Sequence, residues 1–326
     1  MVEPSGAFPP DAPQRSRPSP LKPKLVAVFF GPNGLRALWR LLIFFAILFA
    51  LFSTEQAAMM AIAHRRVATT ITELRAGLVL ETEALQFLLV LFAAWVMTKI
   101  DRGKIADYGL PWQEAFGSRF WKGAAFGFAS ISALLLMLRA AEAFHLGPLA
   151  LAGVAVVRYA IIWGLAFLFV AFFEEFISRG YVLFALAGGI GFWPAAIITS
   201  AIFGYMHHAN NGESRVGELT AGAIGFLFCL LLRRTGSLWM PIGFHAAWDW
   251  GESYFYGVPD SGLLVRGHLF TASFSGPTWL TGGTVGPEGS WLCLMLIFLL
   301  FLMFCTALRE VKYPNPAAIP DARRTH

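Results

Sequence analysis

Eight apolar stretches, separated by short polar segments, run along the chain. In order they are Leu38–Ser53, Ala84–Thr98, Phe120–Leu138, Tyr159–Ala187, Pro194–Met206, Leu219–Leu232, Leu238–Trp250 and Trp291–Leu308. A helix that crosses a bilayer needs about 20 apolar residues. Several of these stretches are shorter and contain glycine, which is typical of helices that surround a cavity rather than lipid. The pattern predicts an all-α polytopic membrane protein with about eight transmembrane helices that enclose an intramembrane cavity.

The composition supports a membrane protein. Of the 326 residues, 57% are hydrophobic and 14% are charged, whereas roughly a quarter of the residues of a soluble domain are charged. Lys and Arg flank the apolar stretches and form no separate basic stripe among aromatic residues. We therefore expect membrane lipid as a partner and exclude nucleic acid. The three cysteines lie in apolar stretches, which argues against disulfides and against a zinc site built from cysteine.

The chain divides into a membrane domain and two tails. Residues 1–35 are rich in proline and predicted to form a disordered tail, residues 36–310 form the membrane domain, and residues 311–326 form a second tail. If the N-terminus is cytoplasmic, most of the 25 Lys and Arg residues fall on the cytoplasmic side. This bias predicts that both termini are cytoplasmic. Residues 251–287 are predicted to form a long polar outer loop that partly covers the cavity.

Three polar motifs interrupt the apolar stretches of the second half, in Phe173–Arg179, Phe203–His207 and His245–Asp249. An ionisable side chain at the centre of a bilayer costs at least ~2.5 kcal/mol. Such residues usually face the protein interior and have partners there. Since three of these motifs lie within one half of the chain, we interpret them as one site.

The spacing within the motifs predicts local pairs. Glu175 and Arg179 are four residues apart, so they share a helix face and can form an ion pair. His245 and Asp249 have the same spacing, and Asp249 is a candidate to orient the imidazole. Glu174 lies about 100° around the helix from Glu175, which leaves it available for another role.

Distance from a turn predicts a further contact. Glu174 and His207 are equally far from the turn expected at Gly188–Trp193, so an antiparallel helix pair places them at one depth. A glutamate beside a histidine can remove a proton from water, and His245 can stabilise the resulting oxyanion. The same residues also suit a proton or ion pathway, or structural bracing, and spacing alone leaves the three interpretations open.

The motifs Glu-Glu-x-x-x-Arg, Phe-x-x-x-His and His-x-x-x-Asp, in this order, resemble those of the CAAX protease and bacteriocin-processing (CPBP) family. That family includes the type II CAAX prenyl endopeptidases. The resemblance covers about residues 85–255 and is strongest over 172–250. It implies an eight-helix intramembrane protease.

The resemblance also implies roles for individual residues. Glu174 matches the catalytic glutamate, His207 its partner in activating water, and His245 the histidine on the oxyanion side. Asp249 occupies a catalytic position that is Asn in the prenyl endopeptidases. An ionised Asp cannot donate a hydrogen bond to an oxyanion as Asn can, so a prenylated substrate does not follow from the motif. The supporting positions are Glu175, Arg179 and Phe203.

The sequence favours a reaction without a cofactor. No His-Glu dipeptide occurs, which excludes a HExxH zinc helix. If zinc is used, the expected ligands are Glu174, His207 and His245. We therefore expect an endopeptidase that cleaves a membrane-associated peptide, of the CAAX type or related to bacteriocins, in a bacterial inner (plasma) membrane. The alternatives are a proton-coupled transporter and a non-catalytic immunity or scaffold protein.

Overall fold

A computed structural model describes residues 26–31, 34–63, 75–210 and 212–313. Most of them are helical, in α1 (Ala37–Ala63), α2 (Ala76–Asp101), α3 (Ser118–Ala140), α4 (Val154–Glu175), α5 (Leu183–Ile190), α6 (Phe192–Met206), α7 (Arg215–Thr235), α8 (Trp239–Asp249), α9 (Thr278–Thr281) and α10 (Trp291–Ala307). All eight predicted apolar stretches lie on helices, the fourth on α4 and α5 together. The predicted all-α polytopic class is therefore confirmed.

Five helical segments among the described residues are long and apolar enough to cross a membrane. They are Ala37–Ala61, Ala76–Asp101, Ser118–Ala140, Val154–Ile190 and Arg215–Thr235. The other three predicted spans are shorter, with 15 residues in α6, 11 in α8 and 17 in α10.

Helix α8 lies inside the bundle, which explains why a short helix suffices. Nine of its 11 residues are buried. Gly123 and Gly127 of α3 lie against the α8 backbone at Met240 and Phe244, and Gly243 of α8 lies against Phe120. A Cβ atom at any of these glycines would overlap that backbone, so small residues permit the close helix packing expected in membranes. The Gly-x-x-x-Gly of α3 is thus a packing motif.

A π-helical turn interrupts the fourth apolar stretch. Helix α4 continues through Phe176–Val182 into α5, and Gly180 in this turn has φ −80° and ψ −105°, outside the helical region. A second π-helical turn, Trp250–Phe255, follows α8. Such turns often bend helices at functional sites. Here each turn directly follows one of the predicted site carboxylates.

Helix α7 is tied down at both ends. The Ser214 hydroxyl accepts a hydrogen bond from the Gly217 amide at 3.0 Å and caps its first turn, as serine commonly does. At the other end, the Arg233 carbonyl accepts hydrogen bonds from the Lys312 and Tyr313 amides. The buried Tyr313 ring therefore anchors the chain after α10 beside the end of α7.

Two short strand pairs accompany the helices, and the apolar pattern did not predict them. Strands β1 (Phe30–Gly31) and β2 (Gly34–Leu35) pair antiparallel, within the predicted N-terminal tail. Strand β3 (Phe144–Leu149) pairs antiparallel with β4 (Phe270–Phe274). This second pairing joins the loop after α3 to the predicted outer loop. Residues 1–25 and 314–326 lie outside the described residues, so disorder there stays a prediction, whereas the strand residues Phe30–Gly31 and Gly34–Leu35 of the predicted tail are ordered.

Candidate active site

The glutamate pair lies in the last turn of α4, just before the π-helical turn. Its two members occupy different environments: Glu175 is completely buried, whereas 30% of the Glu174 side chain is exposed. Charge without a partner is costly inside a protein. Glu175 therefore requires neighbours that compensate its charge, while Glu174 can contact water or a ligand.

Arg179 supplies that compensation. Its Nη1 donates to Glu175 Oε1 at 2.9 Å, and both side chains are fully buried, so the predicted pair is present. The guanidinium lies 4.0 Å from the centre of the Phe203 ring, in a favourable cation–π position. Gly225 of α7 leaves room for it, since a Cβ there would overlap Nη2. Phe203, a predicted supporting residue, thus packs directly on Arg179.

His245 projects from α8 toward the glutamate pair. Its Nδ1 lies 2.9 Å from Glu175 Oε1, and its Nε2 lies 3.8 Å from Glu174 Oε2 and 3.5 Å from Asp249 Oδ2. A carboxylate only accepts hydrogen bonds, so Nδ1–H donates to Glu175. The contact with Asp249 is longer and lies on the other ring nitrogen. Glu175, rather than the predicted Asp249, therefore fixes the orientation of the imidazole.

His207 begins a 3-10 turn, His207–Ala209, directly after α6. Its Nδ1 lies 2.8 Å from the Phe203 carbonyl oxygen, so Nδ1–H donates and Nε2 is left for another partner. The His207 and Phe203 rings pack edge to face, with centres 4.8 Å apart. A hydrogen bond to the preceding turn thus holds the imidazole in place.

Glu174 and His207 line one cavity of about 430 Å³, together with His245 and Asp249. The structure thus brings all four predicted catalytic residues to one space. The ion pairs formed by the described residues do not include one between Glu174 and His207, and His245 is the histidine beside Glu174. Equal distances from a turn give equal depths only when both helices are regular. Here the π-helical turn and the bend at Gly180 lie between Glu174 and the turn at Gly191.

Loop residues that spacing arguments missed complete the cavity. Asn210 and Glu213 lie between α6 and α7, and Asp260, Ser261 and Glu288 lie in the segment that follows α8. The predicted outer loop therefore covers part of the cavity. Loops have no helical periodicity from which their positions could be predicted. Their polar composition was therefore the only indication in the sequence that these residues belong to the site.

Burial raises the pKa of two of these loop carboxylates, Glu213 and Asp260. Desolvation raises the pKa of Glu213, although His207 and the Ser214 amide oppose the change. Desolvation and the nearby charge of Glu288 raise the pKa of Asp260 to about 7. Both effects follow from the cost of a charge held away from water, and they make this side of the cavity rich in protonatable groups.

The three expected zinc ligands do not form a metal site in this arrangement. Among the described residues, Glu252, Asp260 and Glu288 form the one set of three acidic, His or Cys residues whose ligand atoms all lie within 4.8 Å of one another. Glu174, His207 and His245 share a cavity without converging on a common point at that spacing. Zinc bonds to nitrogen and oxygen are about 2.0–2.2 Å long, so these residues as placed do not fit a zinc ion.

The arrangement suits hydrolysis chemically. Glu174 presents a partly exposed carboxylate to a cavity that also receives two histidines. The Nδ1 atom of each histidine already has a partner, which directs Nε2 elsewhere. A carboxylate that can accept a proton and two oriented imidazoles are the groups required to activate water and to stabilise an oxyanion.

A comparison with known families agrees with this picture. Residues 156–251 match the family model described as type II CAAX prenyl endopeptidase Rce1-like. The matched segment contains all three motifs, so the resemblance to CAAX proteases is confirmed at the level of the family. No curated protein and no solved structure matches the chain.

Proposed function

We propose that this protein is an intramembrane endopeptidase in which Glu174 acts as the general base toward a water molecule. The observation that carries the proposal is the contrast within the glutamate pair. Glu175 is buried and engaged by Arg179 and His245, whereas Glu174 is partly exposed at the cavity, with a histidine nitrogen 3.8 Å away. The match to a protease family supports the same reading.

In this proposal the water lies between Glu174 and the scissile carbonyl group of the substrate. Glu174 removes a proton as the water oxygen attacks the carbonyl carbon, and it later transfers that proton to the departing amine. His207 holds the water through Nε2. Hydrogen bonds at an active site often tighten only when substrate binds, so the absence of a contact between Glu174 and His207 is compatible with this role.

His245 stabilises the negative charge that develops on the carbonyl oxygen. With Nδ1–H bonded to Glu175, the opposite nitrogen faces the cavity. When the imidazole is doubly protonated, Nε2–H donates a hydrogen bond to that oxygen. A preorganised donor of this kind contributes roughly 3–4 kcal/mol to transition-state stabilisation.

We propose a membrane-associated peptide as the substrate, with the CAAX class as the first candidate. A farnesylated peptide and its unprenylated counterpart, presented to the full-length protein in detergent, would separate prenyl recognition from peptide recognition. Asp249 is an acidic group in the cavity where the prenyl endopeptidases have Asn.

We also propose a bacterial inner membrane with both termini cytoplasmic. Accessibility labelling of cysteines added at each end would check the location of the termini.

Substitution of Glu174 by Gln is the central test. The amide keeps the size of the side chain but cannot accept the proton, so cleavage should fall roughly 10³-fold, within the range of general-base contributions. The matched control is Glu83→Gln, since Glu83 on α2 also lines the cavity but has no proposed role. Its cleavage rate should stay within about threefold of the parent, because it removes charge and no chemical step.

The same variants test the alternatives. A scaffold or immunity protein would keep its biological activity with Gln at 174. A proton-coupled transporter would show a flux into liposomes that this substitution abolishes, without any peptide cleavage. Unchanged cleavage by Glu174→Gln would overturn the proposed mechanism.

A further inference from the structure

A second group of carboxylates lies at the wall of the cavity, in contact with Trp248. Glu252 belongs to the π-helical turn after α8, Asp260 to the following loop, and Glu288 to the 3-10 turn Pro287–Gly289 before α10. One oxygen from each carboxylate lies within 4.8 Å of the others. Residues far apart in sequence thus converge at a single point.

No cationic side chain among the residues that the structure describes pairs with these carboxylates. None of the ion pairs that the described residues form includes Glu252, Asp260 or Glu288. Their polar contacts are neutral. Trp248 Nε1 lies 2.8 Å from Glu252 Oε2 and 3.0 Å from Glu288 Oε1, and the hydroxyl groups of Ser253 and Ser261 donate to Asp260 Oδ2 and Glu288 Oε2. One indole N–H cannot fully satisfy two carboxylates.

Glu252 provides an independent indication of a missing ligand. Its side chain is completely buried, and its Oε1 has no hydrogen-bond partner among the residues that the structure describes. Buried carboxylate oxygens are normally bonded to a donor or a metal. One oxygen of this side chain lies within 4.8 Å of ligand oxygens of Asp260 and Glu288, so an ion bound by the three carboxylates would lie next to a carboxylate that lacks a donor.

We propose that Glu252, Asp260 and Glu288 bind a divalent cation of the calcium class. The donors are all oxygens, which suit Ca²⁺ or Mg²⁺ and not the metals that prefer nitrogen or sulfur. Ca–O bonds are about 2.4 Å long, so two ligands on opposite sides of the ion are about 4.8 Å apart. One oxygen from each of the three carboxylates lies within 4.8 Å of the others, so a single ion of this size can contact all three.

Calcium suits the site better than magnesium. The ligands come from two short helical turns and a loop, and Ca²⁺ tolerates irregular geometry whereas Mg²⁺ requires a near-ideal octahedron. Two hydroxyl groups are close enough to extend the set: Ser253 Oγ donates to Asp260 Oδ2 at 3.0 Å, and Ser261 Oγ donates to Glu288 Oε2 at 3.4 Å. Water molecules can supply further ligands.

The cation would join the loop to the helical bundle. Asp260, Ser261 and Glu288 also line the catalytic cavity, so an ion at this point would hold that wall against the end of α8. The inference does not depend on the proposed peptidase chemistry, because it concerns the stability of the loop and has a readout apart from cleavage.

Thermal unfolding of the full-length protein in detergent, after treatment with a chelator, tests the site. Added Ca²⁺ should raise Tm by about 5 °C, as expected for a ligand that binds the folded state at about 100 times its Kd. Asp260→Asn and Glu288→Gln should each reduce the increase to below about 1 °C, by loss of a charged ligand. Glu142→Gln, an exposed glutamate on the loop that leads into β3, should retain it.

Tb³⁺ luminescence gives a second readout that does not rely on unfolding. The Trp248 indole contacts two of the proposed ligands, so excitation of tryptophan should sensitise a bound Tb³⁺, and Ca²⁺ should quench the signal by displacement. Trp248→Phe should remove most of the emission although the other tryptophans remain. Loss of emission in Glu288→Gln would support the site even if that variant unfolds too early for a Tm comparison.

Three results would overturn the proposal. The first is a Tm of the chelated protein that does not respond to Ca²⁺, which would mean that shared protons balance the carboxylates. The second is an undiminished response in Asp260→Asn and Glu288→Gln, which would place the ion elsewhere. The third is a larger response to Mg²⁺ than to Ca²⁺, which would reject the calcium class.

Discussion

Glu175 and Glu252 are both completely buried, yet their surroundings differ in charge. Glu175 shares one oxygen with Arg179 and His245, and Arg179 also rests on the Phe203 ring. Glu252 faces two more carboxylates, and its nearest donor is a neutral indole. Both glutamates leave one oxygen without a hydrogen-bond partner among the described residues, so the charge of the neighbours, and not the presence of an unpaired oxygen, separates the two regions.

The difference shows how the two regions depend on what surrounds them. The partners of Glu175 lie on α8 and on the adjoining π-helical turn. Residues of α6 and α7 pack against Arg179, so the bundle itself completes that site. The partners of Glu252 lie on turns and a loop. A balanced set within helices holds its geometry without a ligand, whereas an unbalanced set on loops requires a proton or a cation. Three substitutions test this contrast, in order of decreasing expected effect.

Replacement of Arg179 by Met should have the largest effect on stability. It removes the cation but leaves Glu175 buried, and breaking a buried ion pair in this way costs about 3–5 kcal/mol. The free energy of unfolding, measured with denaturant in detergent, should fall by that amount. The double variant Glu175→Gln with Arg179→Met should recover part of the loss. A loss below about 1 kcal/mol in the single variant would show that the pair is not the main charge balance of this region.

Gly225→Ala should have an intermediate effect. The added Cβ would overlap Arg179 Nη2, and forced repacking of a filled interior typically costs about 1–3 kcal/mol. Gly222→Ala on the same helix is the matched control, because its Cβ would make only an ordinary contact at 3.4 Å with the Ser200 carbonyl oxygen. That control should be neutral or stabilising by up to about 1 kcal/mol. Equal stability of the two variants would contradict the packing role of Gly225.

Glu288→Gln should have the smallest effect, and of opposite sign. In the chelated protein it removes repulsion within a group of three close carboxylates, so the protein should gain about 1 kcal/mol of stability. The same exchange at Glu175 removes the partner of a buried cation and should destabilise. Chemical denaturation of both variants with a chelator present gives the two signs directly. Destabilisation by both would mean that the two regions are balanced alike.

The helices and the Glu175–Arg179 pair could be predicted well from the sequence. Apolar stretches of this length permit little besides helices in a bilayer, and an i,i+4 spacing places Glu175 beside Arg179 whatever the rest of the fold does. The same spacing argument misjudged His245. Asp249 is its neighbour along the helix, but Glu175, 70 positions away in sequence, accepts its Nδ1–H. Spacing within one helix carries no information about a partner that lies on another helix.

The predicted meeting of Glu174 and His207 is realised only in part, for a related reason. The prediction placed Glu174 and His207 in one layer, and both line the cavity. It could not foresee that a π-helical turn and the bend at Gly180 lie in between. Glycine permits this bend, because a Cβ at position 180 would overlap the Phe176 ring.

The sequence by itself determined the membrane class, the order of the helices and the residues able to carry out chemistry, because these follow from hydrophobicity, helical periodicity and motif order. Only the tertiary structure decided how far Glu174 and Glu175 are exposed, which residue orients His245, and that Glu252, Asp260 and Glu288 meet. These features depend on contacts between segments that are distant along the chain. Such contacts form where whole helices and loops pack, and no local spacing encodes them.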